Sequence, residues 1–216
     1  MYLYFTRHGK TEWNLERRFQ GMKGDSPLLA SSYEEVASLG RELKTVPFEA
    51  IYCSTAKRAR DTAQAIEAQL EHAVPIFAED GLLEMGYGSL EGQLIDEMRL
   101  LYGPTLENMR YHLDQYDPTA FDGETVSEML VRMMHTITEK VTQHEGPILF
   151  VGHGTSMTAA IQALIGKPVS QLRDMGGLYN NSLTILETEH KVLPYTLVKW
   201  NDVSFLSDPT SADSLL

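Results

Sequence analysis

The chain has 216 residues, 43% of them hydrophobic, which suits one α/β domain with a sizeable core. Eighteen Lys and Arg against thirty Asp and Glu leave a formal charge of −12, a field that repels nucleic acid and anionic lipid and argues against partners of either kind. The single cysteine, Cys53, excludes an internal disulfide, and no apolar run approaches the roughly 20 residues that span a bilayer.

From the amino end, Tyr2 to Thr6 is an apolar run of strand length. It starts without the charged segment, long apolar stretch and small-residue cleavage site of a secretory leader, so a cytoplasmic location is expected. The run leads into Thr6-Arg7-His8-Gly9-Lys10-Thr11, which sets a guanidinium beside an imidazole at a strand's carboxyl end. Such a pair suits a phosphate: arginine holds two oxygens in a fork while a neutral imidazole nitrogen attacks phosphorus. Alone, the three residues fit a surface arginine beside a core histidine equally well. Ser32 and Glu35 read as the capping box of a first helix that carries Val36, Leu39 and Leu43 inward. Ala50 to Cys53 is a second strand, with Cys53 as a small core residue. In the segment Ser54 to Ala63 that comes next, Arg58 falls near a helix N-terminus, where the macrodipole also favours an anion. Ala59, Thr62, Ala63, Ile66 and Leu70 form the inward face of that helix, and Lys57 and Arg60 its solvated faces.

Leu83 to Gly92 is a glycine-rich loop after a short strand, and it offers Glu84 as a general acid, with Glu91 as an alternative donor or a brace. The stretch from about 92 to 145 interrupts the strand-helix rhythm and reads as a helical cap insertion. Its long helix is capped by Thr125 and Glu128 and carries Met129, Met133, Ile137 and Val141 as a core stripe. Ile148 to Val151 is a further strand that runs into Gly152-His153-Gly154, a second histidine beside glycine at a strand end. A helix comes after it with Met157, Ile161, Leu164 and Ile165 inward, stopped by Gly166 and Pro168. Ser182 to Leu186 and Tyr195 to Trp200 complete the strands, and the polar tail 207–216 is expected to be poorly ordered. The expected fold is therefore α/β: a three-layer sandwich with a mostly parallel central sheet, helices on both faces and a small helical cap, all within one domain over residues 1–216.

Arg7-His8-Gly9, Thr11-Glu12-Trp13-Asn14, Gln20-Gly21, Asp25-Ser26-Pro27-Leu28, Ser54 to Ala63, Glu84 to Gly92, Gly123-Glu124 and Val151-Gly152-His153-Gly154 together carry a resemblance over nearly the whole chain. The sequence resembles the histidine phosphatase superfamily, in the branch that includes cofactor-dependent phosphoglycerate mutases and broad-specificity phosphatases. The resemblance implies that His8 is transiently phosphorylated, that Arg7, Arg58 and His153 surround the phosphoryl group, and that Glu84 exchanges the proton. Asn14, Gln20, Gly21 and Gly154 would line the substrate pocket, with no metal and no cofactor. The other histidines, His72, His112, His135, His144 and His190, show no ligand spacing with carboxylates or cysteines.

Two departures concern the substrate side. Lys10 stands where an acidic residue commonly follows the glycine, adding positive charge near the site, and Leu29-Ala30-Ser31-Ser32-Tyr33 differs from the family pattern before the first helix. Dedicated mutases follow the acid with Arg-His-Tyr, whereas Met85-Gly86-Tyr87 stands here, and residues 92–124 hold only Arg99 and Arg110, not an adjacent pair. The reading is thus a phosphomonoester hydrolase acting through phosphohistidine on a small phosphorylated metabolite. The alternatives are a phosphoglycerate mutase and a non-catalytic phospholigand-binding module.

Overall fold

A computed structural model describes residues 1–207 of the chain; the tail expected to be poorly ordered lies, from residue 208 on, outside the described residues. A six-stranded sheet runs β3-β2-β4-β1-β5-β6, with β1 Tyr2–Arg7, β2 Ala50–Ser54, β3 Ile76–Glu79, β4 Ile148–Gly152, β5 Leu183–Glu187 and β6 Thr196–Asp202. The first four in that order are parallel, β5 adds to β1 as an antiparallel strand, and β6 pairs antiparallel with β5. The mostly parallel sandwich is as expected. The short strand ahead of Glu84 is β3, on the sheet edge.

Successive strand side chains point to opposite faces, and the central strands show it directly. Ile148 and Phe150 of β4 join a cluster with Leu3, Phe5, Ala50 and Tyr52, whereas Leu149 and Val151 join one with Ile51 and Cys53. Both faces are buried because both carry helices. The second cluster is closed by α2 (Ala30–Glu42) through Val36 and Leu39, and by α3 (Lys57–Glu67) through Ala59, Ala63 and Ile66. The first is closed by α5 (Val126–Gln143) and α6 (Thr155–Leu164), where Met129, Met133, Ile137 and Val141 are fully buried beside Met157, Ile161 and Leu164. Thus α5, within the stretch read as a cap, packs on the sheet face beside α6. Ahead of it come α4 (Ile95–Tyr111), kinked at Tyr102 just before Pro104, and two short 3-10 turns.

The Thr125–Glu128 capping box is present in full at the start of α5. The Ser32–Glu35 box is not: α2 begins at Ala30 with Leu29 as its cap, and Ser32 is buried in the first turn. Tertiary contacts outcompete the local cap here. Glu35 accepts a hydrogen bond from Asn181 Nδ2 at 3.0 Å and lies 3.7 Å from Lys10 Nζ, so the extra cation beside the site is matched by its own carboxylate. Among the described residues no helix is long and apolar enough to cross a membrane.

Candidate active site

Parallel pairing of β1 with β4 sets Arg7 opposite Gly152, so the next residues along each chain segment, His8 and His153, emerge side by side at the carboxyl edge of the sheet. Their rings meet edge to face with centroids 5.2 Å apart, and the His8 amide donates to Gly152 O at 3.0 Å. His8 Nδ1 lies 2.7 Å from Gly9 O, a carbonyl that can only accept, so Nδ1 carries the proton and Nε2 keeps its lone pair. Arg58 donates Nε–H to that Nε2 at 3.3 Å.

Arg58 is fully buried in the first turn of α3, and every other bond it makes aims it. Its Nη1 donates to Gly24 O at 2.8 Å and Asp25 Oδ1 at 3.1 Å, and Nη2 donates to Gly21 O at 3.0 Å. Gln20 completes the cradle when its amide oxygen accepts from Arg58 Nε and Nη1 (3.1 and 3.2 Å) and its nitrogen donates to Thr11 and Ser26. Arg7 donates Nη1–H to Leu178 O at 2.9 Å and lies against the Cα of Gly154. The glycine after His8 is needed for close approach, since a Cβ on Gly9 would collide with Ser32 Oγ of α2.

Glu84 arrives from the loop after β3 with a buried carboxylate spanning the N-terminus of α6. It accepts from Thr155 N at 2.9 Å, Ser156 N at 2.8 Å and Met85 N at 2.8 Å, so its orientation is set by backbone donors. Arg7, His8, Asn14, Arg18, Gln20, Glu84, Ile95, Gly154 and Thr155 line one cleft. Arg58 and His153 stand behind that lining with no exposed surface, and both ring nitrogens of His153 are buried without a hydrogen-bond partner among the described residues. Gly21 contributes its carbonyl to Arg58, and Asn14 closes the capping box of the short helix α1 (Glu12–Leu15) as well as lining the cleft. Glu91 braces the loops instead of facing the cleft: its carboxylate accepts from Lys23, Gly24 and Tyr87 amides. Burial pushes the Cys53 thiol up to about 11 and leaves it no part in the chemistry.

A family model for the histidine phosphatase superfamily, branch 1, matches residues 3–203. The chain belongs to the histidine phosphatase superfamily. Within that superfamily, 2,3-bisphosphoglycerate-dependent phosphoglycerate mutases of Brucella canis and Brucella abortus are 31% identical to it over 177 residues, 79% of this chain and 84% of theirs. Among solved structures, YhfR of Bacillus stearothermophilus superimposes with a TM-score of 0.86 at 32% identity, covering 94% of this chain and 98% of that one. A mycobacterial glucosyl-3-phosphoglycerate phosphatase shares the fold, with a TM-score of 0.82 at 24% identity over 93% of this chain and 98% of its own.

Several residues of this histidine phosphatase site escape a reading that looks only just after strands. Asn180 donates Nδ2–H to His8 O at 2.8 Å, and Asn181 N donates to Arg7 O at 3.0 Å. Both precede β5, but β5 is antiparallel to β1, so its beginning lies at the same edge as the ends of the parallel strands. Thr62 accepts from Gly9 N at 3.0 Å and donates to Arg58 O at 2.8 Å, tying the His8–Gly9 turn to α3. Arg18 at the cleft mouth pairs with Glu16 at 2.5 Å and donates to Gly92 O.

His8 and His153 are both held well below the ordinary imidazole range, by burial first, then by Arg58, with Arg7 adding to the effect at each. Both rings therefore stay neutral in the folded protein at pH values where an unfolded chain, with histidine near 6.5, takes up protons. The stability this contributes is complete above about pH 6.5 and is lost as pH falls through that value toward the lower folded-state one. The unfolding free energy from urea titrations is expected to drop between pH 7.5 and 5, with a slope of up to about 1.4 kcal/mol per pH unit for each histidine. His153→Asn should make the slope shallower, and a flat profile in the parent protein would contradict a neutral pair.

Proposed function

We propose that the protein is a phosphomonoester hydrolase that works through a phosphohistidine on a small phosphorylated metabolite in the cytoplasm. The observation that carries this reading is the state of His8: Nδ1–H is spent on Gly9 O, while Nε2 keeps its lone pair and turns it toward the buried guanidinium of Arg58, whose Nε–H it accepts at 3.3 Å. In the first step Nε2 attacks phosphorus, the ester P–O bond breaks and Glu84 gives its proton to the departing alkoxide. In the second, a water attacks the phosphohistidine, Glu84 takes the water's proton, and the P–N bond breaks to release inorganic phosphate and restore neutral His8. Arg7, Arg58 and a donor nitrogen of His153 supply fixed positive charge and hydrogen bonds to the equatorial oxygens as charge spreads over them.

Water as acceptor, in preference to a second phosphorylated ligand, is supported by the residues on the carboxyl side of Glu84. Met85 is fully buried in the core, and Gly86 is engaged through its backbone with Glu124, so no cation faces the cleft there. Arg99 pairs loosely with Asp96 on the half-exposed side of α4, and the Arg110 guanidinium lies 5.4 Å from the centre of the Tyr111 ring, both along a separate hollow of α4. The mutase reading draws support from the Brucella relatives. One incubation series separates the readings: p-nitrophenyl phosphate, a panel of phosphorylated metabolites, and 3-phosphoglycerate with 2,3-bisphosphoglycerate. Net phosphate release from metabolites is expected. Fast isomerisation without phosphate release would make it a mutase, and no turnover of any of them would make it a binding module.

A further inference from the structure

We propose that Arg132, held by Glu124, is a positioning residue that sets the reach of Glu84 into the cleft; the proposal rests on the reading of Glu84 as the acid. A guanidinium has five N–H donors in a fixed fork, and at Arg132 each has a target. Nε donates to Glu124 Oε1 at 2.6 Å and Nη2 to Glu124 Oε2 at 2.8 Å, a bidentate pair. The remaining donors go to the backbone of the acid's own loop: Nη1 to Gly81 O at 3.1 Å and Leu83 O at 2.7 Å, and Nη2 to Glu84 O at 3.0 Å.

Glu124 is itself tied to the far side of that loop, accepting from Gly86 N at 3.1 Å and donating its own N–H to Gly86 O at 2.7 Å. The loop is docked on α5 so closely that a Cβ on Gly81 would collide with Thr136. Glu84 therefore spans two helices. Its carbonyl is fixed by Arg132 of α5 and its carboxylate by the amides of Thr155 and Ser156 of α6. Helices α5 and α6 pack on the same sheet face, so the separation between those two anchors is rigid. Without Arg132 three loop carbonyls lose their donor, the backbone of Glu84 is free to shift, and proton transfer suffers because it depends on placement within a fraction of an ångström.

A clamp that only stabilised the fold would affect all substrates alike. One that acts through Glu84 must depend on how much the leaving group needs a proton, and must lose its effect once Glu84 is neutralised. The test measures kcat/KM, which reports the phosphorylation step, for p-nitrophenyl phosphate and for β-glycerophosphate in R132M, R132K, E124Q, E84Q and R132M/E84Q. R132M is expected to lower the alkyl-phosphate value roughly 10- to 100-fold and the aryl value less than about threefold. In the E84Q background the alkyl loss should shrink to less than about twofold. R132K, which keeps the charge but only three donors, should recover part of the loss. Equal losses on both substrates, or a full alkyl loss retained on top of E84Q, would overturn the positioning role while leaving Glu84 as acid. If R132M does not fold, E124Q, which removes the charge pair at constant size, decides by the same comparison. If E84Q itself shows no dependence on the leaving group, the acid assignment falls and the route through it with it.

Discussion

Replacing His8 by alanine is expected to lower turnover of p-nitrophenyl phosphate by roughly 10⁴-fold or more, the scale of losing a catalytic nucleophile. It should also abolish the acid-labile, base-stable phosphate that rapid quenching traps on the parent protein. The expectation comes from the hydrogen bonding of one ring. With Nδ1 committed to Gly9 O, Nε2 is the nitrogen with a lone pair, and burial beside Arg58 and Arg7 keeps the imidazole neutral well below its ordinary range. Neither of the two other buried candidates lines the cleft in the way His8 does. His153, whose ring nitrogens are also buried and neutral, stands behind the cleft lining, and the Cys53 thiol lies in the core on the α2–α3 face of the sheet. A variant retaining more than about a tenth of the parent rate would rule out this mechanism, because general acid catalysis and charge stabilisation survive the substitution. Loss of structure is not the expected outcome, since the substitution removes a buried ring that folding keeps neutral against two guanidinium groups.

Glu84→Gln carries the second large effect, and it should separate the two chemical steps. Alkyl phosphates, whose leaving alkoxide must be protonated, are expected to lose roughly 10²- to 10⁴-fold in kcat/KM. Aryl phosphates should lose less than about tenfold in the same quantity because a phenolate leaves without a proton. The variant should nevertheless turn over aryl phosphates slowly in the steady state, since in the proposed mechanism Glu84 also takes the proton from the attacking water. Stopped-flow should then show a burst of nitrophenolate before a slow phase, with phosphate accumulating on His8. A uniform loss with no burst would argue that Glu84 serves only to hold the start of α6. The substitution is isosteric but exchanges one carboxylate oxygen for an amide nitrogen. One of the three amides that Glu84 now accepts from, those of Met85, Thr155 and Ser156, is left without an acceptor at a cost of about 1–3 kcal/mol.

Much of the fold is legible in local patterns, because secondary structure is written with periods of 2 and 3.6 that survive in the sequence. The alternation of Ile148, Leu149, Phe150 and Val151 between two hydrophobic clusters and the Met129–Val141 stripe of α5 are such patterns. Local patterns mislead where a short-range signal meets a stronger distant contact. Ser32 and Glu35 have the spacing of a capping box, but α2 starts earlier, and Glu35 is drawn to Asn181 and Lys10 instead. Asn180 is hidden for a topological reason: the rule that sites follow strands holds for parallel strands, and β5 runs the other way. Arg132 gives no signal at all, as an arginine in the middle of an amphipathic helix is ordinarily solvated; only the folding of the 81–84 loop against α5 brings its targets within reach.

The inventory of the site is written in the chain: two histidines beside glycines at strand ends, an arginine at each of two strand-to-helix transitions, a glutamate in a glycine-rich loop, and an acidic background against which such a cluster stands out. How those groups are wired is a property of the folded molecule alone. That His8 stands next to His153 depends on β1 pairing with β4, 145 residues apart in the chain. That Arg58 points at Nε2 depends on the carbonyls of Gly21 and Gly24, and that Glu84 faces the cleft depends on the amides of α6 and on Arg132 of α5. The division has a physical cause. Residue chemistry and periodicity are local properties of a chain, whereas tautomer, donor direction and reach are set by hydrogen bonds between segments that only packing and strand register bring together.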